Sequence, residues 1–489
     1  TPPEDSSSFH EQSTYFQNLG HALAKTNLAQ REPYRISSIK IDFSQSQDPE
    51  LGSVLVHRVV DHNTAPGKGG MRFGEEGEVA LSEATGLAKL MTDKNALWNT
   101  GMVGGKGVIA VPKGTLSLFE PEVGDSQTTI QQKRERKKLV IRLAFQEMFA
   151  RGLIGPHIDV PAGDMRFGPT EVSHGLQGIR DIITANESKN WEALNLPAED
   201  IRHINFENIE ATLTGKPTDE AGLEGRDEAT GFGVAQTTKA LVSAFETVDP
   251  KQALAGKKII LQGYGNVGSW SAKHLQQLGA IIVGIAERPS VGNLYNEKGI
   301  DLAKLDEHYA QHKTFAGFEG YQDTYSDLNT FLAQHDCPDI LVPAAKEGQI
   351  NEQVAKTLIN LLNDNSMKNF YLIEGANGPV TPKAESILNQ RPSTIHIAPG
   401  PYANGGGVFV SCQERLKNLG EHDLNRETAF ARLINQGQRI CSDSTDIMKV
   451  NNLSLFRAMW SLMALNAQIS HKQDPVSSTQ SEVTTQQAA

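Results

Sequence analysis

The sequence contains little of what holds small secreted domains and metal sites together. It has three cysteines, Cys337, Cys412 and Cys441, and none of them belongs to a Cys-x-x-Cys pair. This spacing argues against a disulfide framework and against a zinc site, and it favours free thiols in a reducing compartment. No apolar run approaches the roughly 18 residues that a transmembrane helix needs. We therefore expect neither a membrane-spanning helix nor a metal centre.

Positive charge is also scarce relative to negative charge. The chain has 46 lysines and arginines against 58 aspartates and glutamates, which gives a formal net charge of −12. This excess repels phosphate backbones and anionic lipids, so neither nucleic acid nor a membrane is an expected partner. The first residues, TPPEDSSSFHEQ, lack the basic and then apolar order of a signal peptide. We expect a cytoplasmic protein, with an organelle matrix as the alternative.

The length and the pattern of the first half predict an α/β protein of more than one domain. The 489 residues exceed one typical domain, so two domains with a cleft between them are expected. The apolar segment Ser53–Val60 is typical of a strand, and Ala80–Trp98 and Gln132–Arg151 have the apolar spacing of helices. The stretch from Asp181 to Thr214 is polar and poorly periodic, which indicates a connecting insertion.

The second half carries a strand, a glycine loop and a helix in that order. From Lys257 onward, strand-like runs alternate with longer segments, which predicts a parallel sheet with helices on both faces. The first run, Ile259–Gln262, leads into Gly263, Gly265 and Gly268. The first glycine permits a tight turn, the second lets a pyrophosphate approach the backbone, and the third brings the helix against the strand. We predict a dinucleotide site here, and a structural turn is the alternative.

An acidic residue at the end of the next strand indicates which dinucleotide is bound. Glu287 follows the apolar run IIVGIA, where a carboxylate accepts hydrogen bonds from the adenosine ribose. A carboxylate repels a 2′-phosphate, so the sequence favours NAD. Arg288 is the argument for NADP, because a guanidinium pairs with that phosphate. The predicted cofactor-binding residues of this loop and strand are Gly263, Gly265, Asn266, Val267, Gly268 and Glu287.

Three lysines of the first half lie among glycines or apolar residues. They are Lys68 in PGKGGMRF, Lys94 in LMTDKNALW and Lys106 in VGGKGVIA. Burial lowers the pKa of a lysine toward neutrality and suits it to act as a general acid or base. Asp164 lies in the loop sequence GPHIDVPAGDM and is a candidate proton carrier. The alternatives are solvated surface lysines and an ordinary turn aspartate.

Taken together, these segments resemble the glutamate/leucine/phenylalanine/valine dehydrogenase family. The likeness extends over about Ser53–Asn418. It rests on the order and spacing of KGGMRF, MTDKNA, GGKG, IGPHIDVPAGDM, TGKP, GRDEATGFGV, GYGNVG, DILVPAA, EGANGPVTP and ANGGGVFVS. The family implies an α/β substrate domain, a Rossmann-type dinucleotide domain, a cleft between them and commonly a homohexamer.

The resemblance sets the expected domain limits. Residues 1–215 are expected to form the substrate-binding and oligomerisation domain, and residues 216–410 the NAD(P)-binding Rossmann domain. Residues 411–470 are expected to form helices that pack back on the first domain. The Ser/Thr/Gln-rich residues 471–489 are expected to be a disordered tail, because they cannot bury enough apolar surface.

The resemblance also implies roles for single residues. Lys94 would hold the substrate α-carboxylate, Lys106 would activate the water at the imino carbon, and Asp164 would transfer the amine proton. Two further pairs are expected to line the cleft, with Arg226 and Thr230 near the nicotinamide carboxamide and Asn377 and Asn404 on the substrate. Hydride would pass between the substrate α-carbon and the nicotinamide.

Two positions decide the expected substrate. In the glutamate branch of the family, a lysine before Gly-Gly and a serine in the VS segment hold the γ-carboxylate, and this chain has Lys68 and Ser411 there. The expected substrates are therefore glutamate, 2-oxoglutarate and ammonium. GGKGVI and MTDKNA look more like the leucine/phenylalanine branch, so a leucine-, phenylalanine- or valine-type enzyme is the alternative. Two further alternatives are a catalytically silent member of the family with a binding role and an unrelated Rossmann protein.

Asp93, beside Lys94, departs from the family pattern and is expected to raise that lysine's pKa.

Overall fold

The structure is a computed structural model that describes most of the chain. It covers residues 34–43, 48–122, 124–188, 206–322, 327–364, 369–421 and 423–472. The predicted tail lies outside these residues except for 471–472, which end the last helix. Within the described part, no helix is long and apolar enough to cross a membrane. The same residues contain no group of three or more His, Cys, Asp or Glu side chains able to hold a metal ion.

The first half of the chain forms a five-stranded mixed sheet with the order β1-β2-β4-β3-β5. β2 is antiparallel to β1 and β4, whereas β3 is parallel to β4 and β5. The strands are β1 (Arg35–Asp42), β2 (Ser53–Val60), β3 (Gly67–Glu75), β4 (Val103–Val111) and β5 (Asp159–Ala162). The predicted strand at Ser53–Val60 is confirmed. Its β-branched residues suit a pleated, half-buried surface.

Helices cover both faces of this sheet. They are α1 (Leu81–Leu97), α2 (Gln127–Ala150) and α3 (Pro169–Ser188), with short 3-10 helices at Pro49–Leu51, Leu116–Leu118, Ile209–Thr212 and Thr218–Glu220. α2 and α3 pack on one face around Phe145 and Leu176, and α1 packs on the other through Ala84 and Ala88. The sheet is therefore the middle layer of three, with apolar side chains on both faces.

The polar segment after Asp181 is only partly a connection. α3 continues to Ser188, so the first eight residues of the predicted insertion are helical. Ile182 and Ala185 are buried and continue the apolar spacing of the helix past Asp181, which explains why the helix does not end there. The rest of the predicted insertion, over 189–205, lies outside the described residues.

The second half forms a sheet with the order β12-β11-β10-β6-β7-β8-β9. The five strands from β12 to β7 are parallel, and β8 and β9 add an antiparallel edge. The strands are β6 (Lys258–Gln262), β7 (Ile281–Ala286), β8 (Asn293–Tyr295), β9 (Tyr321–Gln322), β10 (Ile340–Pro343), β11 (Phe370–Ile373) and β12 (Ile395–Ala398). The predicted α/β fold with a parallel, doubly covered sheet is confirmed.

The remaining helices surround the second sheet and return to the first half. They are α4 (Ala229–Glu246), α5 (Asn266–Gln277), α6 (Leu302–His312), α7 (Leu328–Ala333), α8 (Glu352–Asp364), α9 (Pro382–Leu388), α10 (Gly400–Ala403), α11 (Gly406–Asn418), α12 (Arg426–Asn451) and α13 (Leu455–Lys472). α12 packs on α4, and α13 packs on α1. Asn466 donates from Nδ2 to the Ala96 carbonyl at 3.2 Å, so α13 joins the two halves. The domain limits given above stay predictions.

A buried ion pair crosses the middle of the first sheet. Arg58 on β2 donates to both carboxylate oxygens of Asp159 at 2.7 Å, and both side chains are essentially inaccessible to solvent. Its third nitrogen contacts the carbonyls of Gly69 and Gly70 on β3 at 3.3 and 3.2 Å. The guanidinium passes over β4, where a Cβ at Gly105 would lie 2.8 Å from both Arg58 and Asp159. Gly105 of the GGKG segment is therefore required by this ion pair.

Replacing Arg58 by methionine should destabilise the protein strongly, because the change leaves the buried Asp159 carboxylate without both of its 2.7 Å hydrogen bonds and with only the more distant Arg35, at 3.7 Å, as a cation. We expect a loss of about 3–5 kcal/mol in the free energy of unfolding, measured by urea denaturation followed by circular dichroism. The matched control is Arg151→Met, which removes a half-exposed pair with Glu147 and should cost less than about 1 kcal/mol. Equal losses in the two variants would contradict this account.

Candidate active site

The glycine loop between β6 and α5 leaves space where a pyrophosphate can approach. Gly263 has a φ of +91°, and a Cβ at Gly268 would lie 2.0 Å from the Gly263 carbonyl oxygen, so neither position accepts a side chain without movement. A Cβ at Gly265 would meet no atom within 4 Å. The helix starts at Asn266, and the first N–H groups of a helix favour an anion. The loop therefore fits the phosphates of a dinucleotide.

Glu287 lies beside this loop, as expected. Its Oε1 accepts a hydrogen bond from the Tyr264 amide at 2.8 Å, and its Oε2 accepts one from the Arg288 amide at 2.9 Å. The Glu287 amide in turn donates to Asn293 Oδ1 at 3.1 Å. The carboxylate is thus fixed at the end of β7 next to the glycine loop, where an adenosine ribose lies in folds of this type.

The three candidate lysines are buried. Lys68 on β3, Lys94 on α1 and Lys106 on β4 are 1%, 7% and 4% exposed. Burial lowers the pKa of Lys68 and of Lys94 to about 7, and it also lowers the pKa of Lys106. The alternative of solvated surface lysines is therefore wrong for all three.

Lys106 and Asp164 form a close ion pair. The lysine Nζ contacts Asp164 Oδ2, and Arg72 Nε lies 3.4 Å from the same oxygen. Burial would raise the pKa of Asp164, but the two cations outweigh burial and lower it. Asp164 is held in its loop by backbone hydrogen bonds with Phe167 and by its Oδ1, which accepts the Met165 amide at 2.7 Å. Arg72 was missed in the sequence, although it lies within the KGGMRF segment.

Lys94 connects the two halves of the chain. Its Nζ donates to Asn377 Oδ1 at 2.8 Å, and Asn404 Nδ2 donates to the same oxygen at 3.2 Å. Asn404 Oδ1 is buried and has no hydrogen-bond partner among the described residues. The pKa of Lys94 is lowered by burial and then by the nearby Lys106 charge, so the net shift is opposite to the rise expected from Asp93.

Lys68 lies in a second cluster with two hydroxyl groups. Its Nζ donates to Thr214 Oγ1 at 2.7 Å and contacts the Val160 carbonyl at 3.3 Å. Thr214 Oγ1 also lies 2.7 Å from Ser411 Oγ. The structure therefore brings Lys68 and Ser411 together, as the sequence suggested, and adds Thr214 between them. The only sequence signal for Thr214 is its place in the TGKP segment, one of the segments that carry the family resemblance.

Arg226 and Thr230 face the first turn of α11, the helix that carries Ser411. A Cβ at Gly407 would lie 2.3 Å from Thr230 Oγ1 and 3.4 Å from an Arg226 nitrogen. The positive charge of Arg226 contributes to the lowered pKa of Lys68. Arg226 Nε is buried without a hydrogen-bond partner in the described part of the chain. The side chain therefore adds a cation to the Lys68 cluster, and its placement beside a nicotinamide stays a prediction.

The fold and these side chains define a Rossmann-type dinucleotide-binding protein with buried lysines and a lysine–aspartate pair. Residues 38–180 match the model of the Glu/Leu/Phe/Val dehydrogenase dimerisation domain. Residues 221–470 match the model described as Glutamate/Leucine/Phenylalanine/Valine dehydrogenase. The chain belongs to this family, which confirms the predicted resemblance.

Relatives of known identity extend the comparison. The chain is 35% identical over 363 residues to the mitochondrial glutamate dehydrogenase of Dictyostelium discoideum, covering 73% of this chain and 61% of that protein. It is 31% identical over 399 residues to the NAD-specific glutamate dehydrogenase of Peptoniphilus asaccharolyticus, covering 79% and 78%. The match thus spans less than two thirds of the Dictyostelium protein. A hetero-hexameric glutamate dehydrogenase from Thermus thermophilus shares the fold, with a TM-score of 0.69, 22% identity and coverage of 96% and 97%.

Alanine at position 265 should weaken dinucleotide binding without harming the fold, because the new methyl group meets no protein atom and instead enters the space left for a pyrophosphate. We expect the Kd for NADH, measured by fluorescence titration, to rise about tenfold or more, which corresponds to about 1.4 kcal/mol. Gly86→Ala is the matched control, since its methyl group also meets no protein atom. An unchanged Kd in Gly265→Ala would show that the loop does not hold the phosphates.

Proposed function

We propose that the protein catalyses the reversible oxidative deamination of L-glutamate to 2-oxoglutarate and ammonium, with hydride transfer to a nicotinamide dinucleotide. The observation that carries this proposal is the buried cluster of Lys68, Thr214 and Ser411. Among the described residues, Lys68 contacts only a hydroxyl and a carbonyl, and a substrate γ-carboxylate supplies the anion to this buried cation. An aliphatic side chain would leave that cation unpaired, which is costly in free energy.

The other end of the substrate is recognised by Lys94. Its ammonium group, held by Asn377, pairs with the α-carboxylate, and the unpaired Asn404 Oδ1 is available to a substrate N–H group. Two cations thus hold a five-carbon dicarboxylate at both ends. This two-point binding fixes the α-carbon relative to Lys106 and Asp164, so the reacting groups are already oriented.

Proton transfer at the α-carbon falls to Lys106 and Asp164. Asp164 is kept anionic by Lys106 and Arg72, so it accepts a proton from the substrate ammonium group. A bound nicotinamide dinucleotide supplies the acceptor for the hydride that then leaves the α-carbon. Lys106 has a lowered pKa, so it takes a proton from the water that adds to the imine carbon and returns one as ammonia leaves. The same steps in reverse form the amino acid.

We assign NAD as the preferred cofactor. The loop glycines and the first amides of α5, from Asn266 and Val267, would hold the pyrophosphate, and Glu287 would accept the ribose hydroxyls. A 2′-phosphate would meet the Glu287 carboxylate and be repelled. The name of the Peptoniphilus relative, an NAD-specific enzyme, supports the same choice.

The assembly that we propose is a homohexamer. The match of residues 38–180 to a dimerisation domain and the hetero-hexameric state named for the Thermus neighbour support it. The three cysteines are free and buried, which suits a reducing compartment such as the cytoplasm or an organelle matrix.

The decisive experiment measures initial rates of NADH and NADPH oxidation with ammonium and either 2-oxoglutarate or 4-methyl-2-oxopentanoate. We expect turnover of 2-oxoglutarate with NADH. In Lys68→Leu, kcat/KM for 2-oxoglutarate should fall about a hundredfold or more, because a buried charged contact to the substrate is lost. Lys113→Leu removes an exposed lysine and serves as the control.

Each other outcome selects a different function. Turnover of the aliphatic keto acid alone would place the chain in the leucine, phenylalanine or valine branch. Cofactor binding without turnover of any keto acid would identify a catalytically silent member of the family. Faster oxidation of NADPH than of NADH would overturn the role given to Glu287.

A further inference from the structure

A fully buried ion pair lies next to the Lys68 cluster. Lys216 Nζ lies 2.8 Å from Glu414 Oε1, and neither side chain is exposed to solvent. The same Nζ donates to the carbonyls of Glu210 at 2.8 Å and Leu213 at 2.5 Å. Glu414 Oε2 accepts the Gly215 amide at 2.9 Å. The pair therefore ties the TGKP segment to α11.

The helix geometry places Glu414 in line with the substrate cluster. Gly407, Ser411 and Glu414 are separated by four and three residues, so they lie on one face of α11. Gly407 is next to Arg226, and Ser411 is next to Thr214. Glu414 therefore follows Ser411 along the face that lines the proposed γ-carboxylate site.

The negative charge of Glu414 acts on the two cations of this site. It raises the pKa of Lys68 and of Arg226 against the lowering by burial. A carboxylate that favours the charged form of these cations is a competitor for any anionic ligand that they bind. Its charge is balanced by Lys216, which makes the close contact. Without this separate counterion, the Glu414 charge would offset one of the two positive charges of the side-chain site.

We propose that Lys216 determines substrate specificity as the counterion of Glu414, which keeps this carboxylate from offsetting one of the two positive charges of the Lys68 and Arg226 site. The proposal rests on the function proposed above and explains how a site with a carboxylate at its edge still selects a dicarboxylate. Lys216 touches no substrate in this account, so it is a positioning residue.

The test compares kcat/KM for 2-oxoglutarate with kcat/KM for 2-oxopentanoate, which has the same five carbons without the distal carboxylate. In Lys216→Met, the unbalanced Glu414 charge should lower the ratio of the two values tenfold or more. In the double variant Lys216→Met/Glu414→Gln, both charges are gone, and the ratio should return to within threefold of the parent. A residue needed only for folding would lower both kcat/KM values together and leave their ratio unchanged.

Further variants keep the outcome decisive. Glu414→Gln alone removes the competing anion, so its ratio should equal or exceed that of the parent. If Lys216→Met does not fold, the double variant and Glu414→Gln carry the test, and a tenfold fall in either overturns the proposal. An unchanged ratio in folded Lys216→Met also overturns it. A parent that does not turn over 2-oxoglutarate would instead reject the proposed function.

Discussion

The burial of positive charge is the constraint on which the rest of this structure depends. Lys68, Lys94 and Lys106 are each removed from water, and an ionised amine is stable there only where acceptors or anions meet it. Each lysine meets this requirement with a different partner. Lys106 has the Asp164 carboxylate, Lys94 has an amide oxygen, and Lys68 has a hydroxyl and a carbonyl. Within the described part of the chain, two of the three therefore make no direct contact with an anionic side chain, and the proposed substrate supplies an anion at each end.

The fold accommodates these buried charges with glycines in the sheet and with further ion pairs. β3 and β4 approach α1 and the Arg58 guanidinium so closely that a Cβ at Gly104 would lie 1.8 Å from the Ala88 carbonyl oxygen. The glycines beside Lys68 and Lys106 are thus packing requirements of the sheet and not flexible hinges. Away from the sheet, Lys216 and Glu414 fix the segment that carries Thr214. The substrate cluster is therefore held from two sides.

Much of the fold could be predicted because it depends on local pattern. The strand, glycine loop and helix around Gly263 form a contiguous signal, and the parallel strands of the second half are short apolar runs between helical segments. The insertion predicted to begin at Asp181 is helical up to Ser188, because polar residues on the exposed face of α3 mask the apolar spacing of the buried Ile182 and Ala185. Local pattern also suggested the burial of the lysines, since each lies among glycines or apolar residues.

The partners of these lysines could not be predicted from local pattern. Asp164 is 58 positions from Lys106, and Thr214 is 146 positions from Lys68, so only the folded chain shows these contacts. A threonine in a turn sequence has no feature that separates a site residue from a capping residue. The roles of Arg72 and Lys216 could not be predicted for the same reason, because they depend on the carboxylates that these side chains contact in the folded protein.

The central claim is that Lys68 binds a distal carboxylate, and calorimetry of the NADH complex tests it most directly. Glutarate and pentanoate would be titrated at pH 6 and pH 8 in two buffers of different ionisation enthalpy, which gives the protons taken up on binding. Because the pKa of Lys68 is about 7, the lysine is mostly neutral at pH 8 and must gain a proton to pair with a carboxylate. We predict that glutarate takes up about one proton more than pentanoate at pH 8, and that the difference disappears at pH 6. Equal affinity and equal proton uptake for the two ligands at pH 8 would contradict the account.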